Sequence, residues 1–128
     1  MFEHIFIAMN FVSQLLTLTN QLHVFHWQTD SGWHHAKLGE AYAELDELTD
    51  RFVEVFMGKY GKITSKDGYS IQLDNITDTK PETFIDSNIK FLTEDVTKLV
   101  KPEDTDLLNI RDEMLGELNK LKYLLTQK

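Results

Sequence analysis

The sequence has no cysteine at all. That excludes a disulfide framework, a thiol nucleophile and every cysteine-ligated zinc or iron–sulfur site. Proline occurs twice and glycine six times in 128 residues, so long regular elements meet few breaks. Positive charge is scarce as well. The formal net charge is −8, and the first lysine or arginine is Lys37. A basic N-terminal arm is therefore missing, and phosphate backbones are repelled on average, so no nucleic-acid partner is expected. The C-terminal Lys120, Lys122 and Lys128 read as helix-end charges complementing the dipole. The apolar N-terminal run lacks the charged start and cleavage pattern of a signal peptide. Glu3, His4, Asn10, Gln14, Asn20 and Gln21 interrupt it at helical intervals, which also argues against a membrane span. A cytoplasmic location is the expectation.

What is present is helical periodicity. A chain of this length hides roughly two thirds of its unfolded surface, enough for one core. Residues 1–128 are read as a single domain. The first helix is predicted over residues 2–27 with two apolar stripes. One holds Ile5, Met9, Val12, Leu16, Thr19, His23 and His26. The other holds Ala8, Phe11, Leu15, Leu18, Leu22 and Phe25. Two stripes exceed what one surface helix needs, so the helix is deeply buried or packs on another subunit. After a turn over residues 28–32, a second helix runs from about Gly32 to Met57. Its stripe is His35, Leu38, Tyr42, Leu45, Thr49, Phe52 and Phe56, and Gly58 is expected to end it.

A long connection follows. Tyr60–Thr64 and Tyr69–Leu73 alternate in a strand-like way around the Asp67-Gly68 turn signal, so a small β-hairpin is expected there. Thr79-Lys80-Pro81-Glu82 has a capping-box pattern with proline in the first turn. A third helix extends to about Lys101, with Phe84, Asn88, Phe91, Asp95 or Leu92, and Leu99 facing inward, and Pro102 ends it. Asp104 or Thr105 caps a fourth helix that runs to the C-terminus on Leu107, Ile110, Met114, Leu118, Leu121 and Leu125. The connections are short, long and short. A crossover of about 22 residues spans a ~35 Å helix at ~3.3 Å per residue. The predicted fold is all-α: a ferritin-like four-helix bundle with one long crossover between the second and third helices.

Four of the five histidines fall between residues 23 and 35. His26 closes the first helix and His35 opens the second, so the turn can bring them together as candidate ligands. An inward histidine is more often a hydrogen-bonded core residue. Asp50 and Glu54 lie one turn apart on the second helix and can grip one cation from the same side. Acidic residues at that spacing are also common on solvated faces. His35 and Asp50 are about 22 Å apart along their helix, too far to share a metal within one chain. A twofold dimer with antiparallel second helices sets one chain's histidines against the other's carboxylates. No Glu-x-x-His stands on the last three helices, so an intrachain di-iron site is not expected.

These residues resemble the Dps family, the miniature ferritins. There a His-Trp pair ends the first long helix, a second His begins the next, and Asp-x-x-x-Glu follows fifteen residues on. Here these are His26-Trp27, His35, and Asp50 with Glu54. The stretches HWQT, GEAY and FVEVFMGKYGK are similar to small phage-encoded Dps-like proteins, which would place the chain in a host cytoplasm. The resemblance implies a homo-oligomer, at least a twofold dimer and in the family a twelve-subunit shell. It implies Fe(II) bound between chains by His26, His35, Asp50 and Glu54, oxidised to Fe(III) by peroxide or oxygen, with Trp27 near the site. Zinc is the alternative metal. The turn between the histidines is about three residues shorter than in the family. Gly39 stands where the family often has an acidic residue. The competing reading is a non-catalytic structural or interaction protein that keeps the bundle.

Overall fold

The computed structural model describes the backbone of residues 2–128 and the side chains of residues 11–128. Helix α1 spans Phe2–Gln28 and α2 spans Gly32–Tyr60. A third rod is continuous but not uniform. It comprises α3 (Pro81–Lys90), a π-helical stretch (Phe91–Asp95) and the last turn α4 (Val96–Leu99). Helix α5 spans Thr105–Leu124. The chain is an all-α four-rod bundle.

The apolar stripes account for the packing. Phe11, Leu15, Leu18, Leu22 and Phe25 of α1 are buried, with Leu38, Ala41, Leu45, Leu48, Phe52 and Phe56 of α2. They meet Ile85, Leu92, Val96 and Leu99 from the third rod and Leu107, Ile110, Met114, Leu118 and Leu121 from α5. Each of these larger side chains gains roughly 1.5–3 kcal/mol on leaving water. Aromatic rings knit the elements: Phe11 lies 4.8 Å from Phe52 and 5.4 Å from Phe91, and Phe25 meets Phe84 edge-on. The expected choice between Leu92 and Asp95 falls to Leu92, which is buried while Asp95 is exposed. The α1 stripe of Val12, Leu16, Thr19, His23 and His26 lies nearer the surface, with Leu16 exposed and Val12, His23 and His26 half-buried, while Thr19 is buried. The side chains of Ile5, Ala8 and Met9, expected on these stripes, lie outside the described residues.

Hydrogen bonds fix the direction of each rod. Where α2 ends, Tyr60 donates to Asp104 at the start of α5. At the opposite end, Trp33 Nε1 and His34 Nε2 near the start of α2 donate to the Leu124 and Gln127 carbonyls. Lys122 pairs there with Asp86 in the first half of the third rod, 2.8 Å away. So α2 and the third rod run the same way, and the chain returns the length of the bundle between them. That is the one-crossover connectivity of ferritin-like bundles.

Two glutamines of α1 hold the crossover's end. Gln21 exchanges two bonds with the Asp74 backbone, at 2.9 and 2.7 Å. Gln28 accepts from Ile76 N and donates to Asn75 Oδ1. Several local expectations are corrected. The Asp67-Gly68 turn forms, with Gly68 N donating to the Ser65 carbonyl and Gly68 at φ 74°. No strand forms around it among the described residues, so the β-hairpin is not made. A second element packing on one face would be needed to stabilise so short a ribbon. Gly58 does not end α2, because an isolated glycine only weakens a helix. Gly61 ends it, at φ 94°, where a side chain would be strained. The capping box is not made either, since Lys80 is the cap residue and Thr79 donates instead to Asp74 Oδ2. Pro81 does take the first helical position. The third rod ends at Leu99, before Lys101, and α5 ends at Leu124, short of the terminus.

Candidate functional site

The turn between α1 and α2 is short and well tied. Thr29 N donates to the Phe25 carbonyl and closes the last turn of α1. Ser31 caps α2, its hydroxyl accepting from His34 N at 3.1 Å. This brings the last turn of one helix against the first turn of the next. His26 and His35 then meet face to face, with ring centroids 3.9 Å apart and planes 16° from parallel.

Their hydrogen bonds are reciprocal. His26 Nδ1–H donates to the His35 carbonyl at 2.6 Å, and His35 Nδ1–H donates to the His26 carbonyl at 2.7 Å. A carbonyl can only accept, so each Nδ1 carries the proton. In the neutral rings Nε2 is then the bare nitrogen on both. That is how a metal-binding imidazole is usually fixed: the distal N–H is held by an acceptor and the other nitrogen keeps its lone pair. His35 is exposed and His26 half-buried.

Gly39 makes the pair possible. A Cβ there would stand 2.8 Å from His26 Cε1 and 3.0 Å from Nδ1. The ring occupies the space that a side chain one turn after His35 would need. The short turn and the glycine act together, since the turn draws His26 over position 39.

The other two histidines of the stretch do different work. His34 and its neighbour Trp33 tie α2 to the end of α5, as described above. Lys37 lies 4.6 Å over the Trp33 ring. His23 stacks on Tyr42 at 4.1 Å and leans on Trp27 at 4.1 Å. Trp27 is 66 % exposed and touches His23.

Asp50 and Glu54 are exposed one turn apart on α2. Glu54 borders an open groove of about 590 Å³ with Arg51, Val55, Asp106, Asn109, Ile110 and Glu113. The Asp50 carboxyl raises the Glu54 pKa above its ordinary value, first by sharing a hydrogen bond and then by its charge. The two carboxyls are thus close enough to compete for one proton, and a cation between them would relieve the repulsion. Within one chain the histidine pair and the carboxylate pair stay apart, separated along α2. Among the described residues no three histidine, aspartate or glutamate side chains gather closely enough to hold a metal.

The rest of the surface adds one constraint. Among the described residues no helix is long and apolar enough to cross a membrane.

The profile of a family of unknown function, DUF5856, matches residues 26–125. The chain belongs to that family. No curated protein and no solved structure matches it. The matched span of the DUF5856 chain begins at His26 and takes in His35, Gly39, Asp50 and Glu54, so all the candidate site residues are part of the family domain. Sequence reasoning did not find Gly39's seat for the ring, nor the grip of Gln21 and Gln28 on the crossover. A glutamine inside the apolar run of α1 was the available signal for the second.

Proposed function

We propose that this protein binds Fe(II) as a substrate at sites shared between two chains, in the manner of Dps proteins, and promotes its oxidation. His26 and His35 of one chain would supply Nε2 donors. Asp50 and Glu54 of a twofold-related chain would supply carboxylate oxygens. The observation that carries the reading is the reciprocal imidazole–carbonyl pair, which leaves both Nε2 atoms as the lone-pair nitrogens at an exposed junction. The raised Glu54 pKa supports the other half, since a paired carboxyl site favours a cation. Hard carboxylate oxygens favour Fe(III) over Fe(II), which gives the site its direction. Each peroxide accepts two electrons, so two Fe(II) ions are consumed for each peroxide reduced to water.

A second reading has its own observation. The reciprocal bonds join the end of α1 to the start of α2 without any metal, so the pair could serve the bundle alone. A zinc ion held for structure is a variant of it. Anaerobic Fe(II) titration followed by peroxide separates these, with oxidation followed by absorbance for the wild type and Glu54→Ala. The iron reading expects saturable binding and fast oxidation, both lost in the variant. Equal background oxidation in both proteins leaves the structural reading.

A further inference from the structure

Residues 69–73 of the crossover lie outside any helix, strand or turn and carry three apolar side chains at the surface. Tyr69, Ile71 and Leu73 are 39, 39 and 38 % exposed. They alternate with Ser70 and Gln72, so in extended backbone all three side chains lie on one face. Among the described residues, the backbone of 69–73 takes part in no turn, loop or cap hydrogen bond, and no side chain bonds to it. The bonds resume only at Asp74, which Gln21 holds. The turn before the strip is closed by Gly68 and Ser65, yet the arm on its other side does not pair with it. Five residues of strand-like alternation therefore have both edges unpaired among the described residues.

We propose that residues 69–73 pair with the same residues of a second copy, as a two-stranded antiparallel ribbon centred on Ile71. An open edge with apolar side chains at alternate positions is a template for another strand. Among the described residues this chain offers no strand to fill it, so the partner strand comes from another molecule. The sequence suits a copy of itself. With a twofold axis at residue 71, Ile71 faces Ile71, Tyr69 faces Leu73 and Ser70 faces Gln72. Aromatic–aliphatic and aliphatic pairs are favourable cross-strand neighbours. The window holds no charge in a chain of net charge −8, so two copies meet there without local repulsion. The ribbon needs a second copy, as the interchain metal site does, but neither needs the other.

The absence of cysteine makes the test direct. Ile71→Cys, Tyr69→Cys, Leu73→Cys and, on the exposed face of α5, Asn119→Cys each carry one thiol per chain. They are oxidised with oxidised glutathione at micromolar protein and read on non-reducing gels, after circular dichroism has shown the same helix content as wild type. Directly opposed residues in an antiparallel ribbon have Cα atoms roughly 4.5–5.5 Å apart, within disulfide reach. Ile71→Cys should form dimers on the order of a hundredfold faster than Asn119→Cys, because the paired thiols react at millimolar effective concentration. Tyr69→Cys and Leu73→Cys should cross-link fast when mixed and slowly alone. Ile71→Cys no faster than Asn119→Cys overturns the ribbon, and so does equal self-linking at 69, 71 and 73. If cross-linking fails while size-exclusion with light scattering gives a dimer, the ribbon is wrong and the interchain metal site keeps its second chain. If the protein is also monomeric, both lose it.

Discussion

Position 39 decides where His26 can be. With a glycine there, the ring lies against the backbone of α2 and its Nδ1–H reaches the His35 carbonyl. Gly39→Ala would bring a methyl to 2.8 Å from Cε1, inside any real contact. The ring is the end of a side chain, so it can swing away, and the cost is the hydrogen bond and the stack. Alanine gains about 1 kcal/mol over glycine in a helix. The exposed hydrogen bond is worth about 1 kcal/mol, so the two nearly cancel. Stability should change by less than about 1 kcal/mol in urea unfolding, while the imidazole proton resonances move as the stack opens. A cooperative loss of stability well beyond that, with unshifted imidazole signals, would mean that His26 stays and α2 yields instead. The same geometry explains why an acidic side chain one turn after His35 does not fit this junction: it would begin with that methylene.

At the level of elements, the far end of the bundle is closed by charge. Lys59 at the end of α2 bridges Asp104 at 2.8 Å and Asp106 at 2.7 Å. Tyr60 donates its hydroxyl to Asp104, and Lys101 N donates to the same carboxylate at 2.9 Å. Asp104 is buried, and these donors, Lys59 first, hold its pKa far below the ordinary 3.8. Lys59 is pushed the other way, above 10.5, by the same two carboxylates. The signs follow. A depressed carboxyl pKa adds stability that is full above about 3.8 and is lost as pH falls towards the folded value. A raised lysine pKa adds stability that is full below about 10.5 and is lost as pH rises through the folded value. Asp104→Asn should therefore lower the thermal midpoint at pH 7, and more than Asp106→Asn, whose carboxylate is exposed. It should also flatten the loss of stability below pH 4. Equal acid sensitivity in Asp104→Asn and wild type would show that other carboxyls govern acid unfolding. This cluster was only partly legible in the sequence. Asp104 could be read as the cap position of α5, because capping is local, but its carboxylate accepts from Lys101 N and caps no N–H of the helix. Its partners Lys59 and Tyr60 are more than forty residues away, and only the crossover brings them there. The rods themselves were legible because periodicity is local and the buried faces of α2 and α5 follow it. Val96 and Ile85 were missed where the π-helical stretch and the half-buried Phe84 and Phe91 blur the stripe. The hairpin was over-read, since alternation and a turn signal do not supply a packing surface. The histidine pair and the carboxylate pair proposed as ligands were legible as residue types, but the ring stacking and Gly39's role depend on the turn's geometry.

For the whole molecule, the separation of histidines and carboxylates along α2 has a consequence that any single-chain site lacks. If two chains related by a twofold axis complete the metal site, each site takes its imidazoles from one chain and its carboxylates from the other. A chain carrying His26→Ala and a chain carrying Glu54→Ala are each inactive as homodimers. In a mixed dimer one site joins both defects and is dead. The other joins the intact histidines of the Glu54→Ala chain to the intact carboxylates of the His26→Ala chain. Random reassembly gives half mixed dimers, each with half its sites restored, so about a quarter of wild-type oxidation should return. The mixture is made by joint unfolding and refolding, and Fe(II) oxidation by peroxide is compared with each variant refolded alone. A double variant, His26→Ala with Glu54→Ala in one chain, refolded with wild type, sets the opposite expectation. There each mixed dimer joins one intact histidine half to one intact carboxylate half only within the same wild-type chain, so no mixed site is whole. Activity then falls to the quarter carried by wild-type homodimers, below the half that independent chains would keep. Recovery near zero in the first mixture and half in the second would place oxidation within single chains, and the histidine pair would then stand as a junction clasp between α1 and α2.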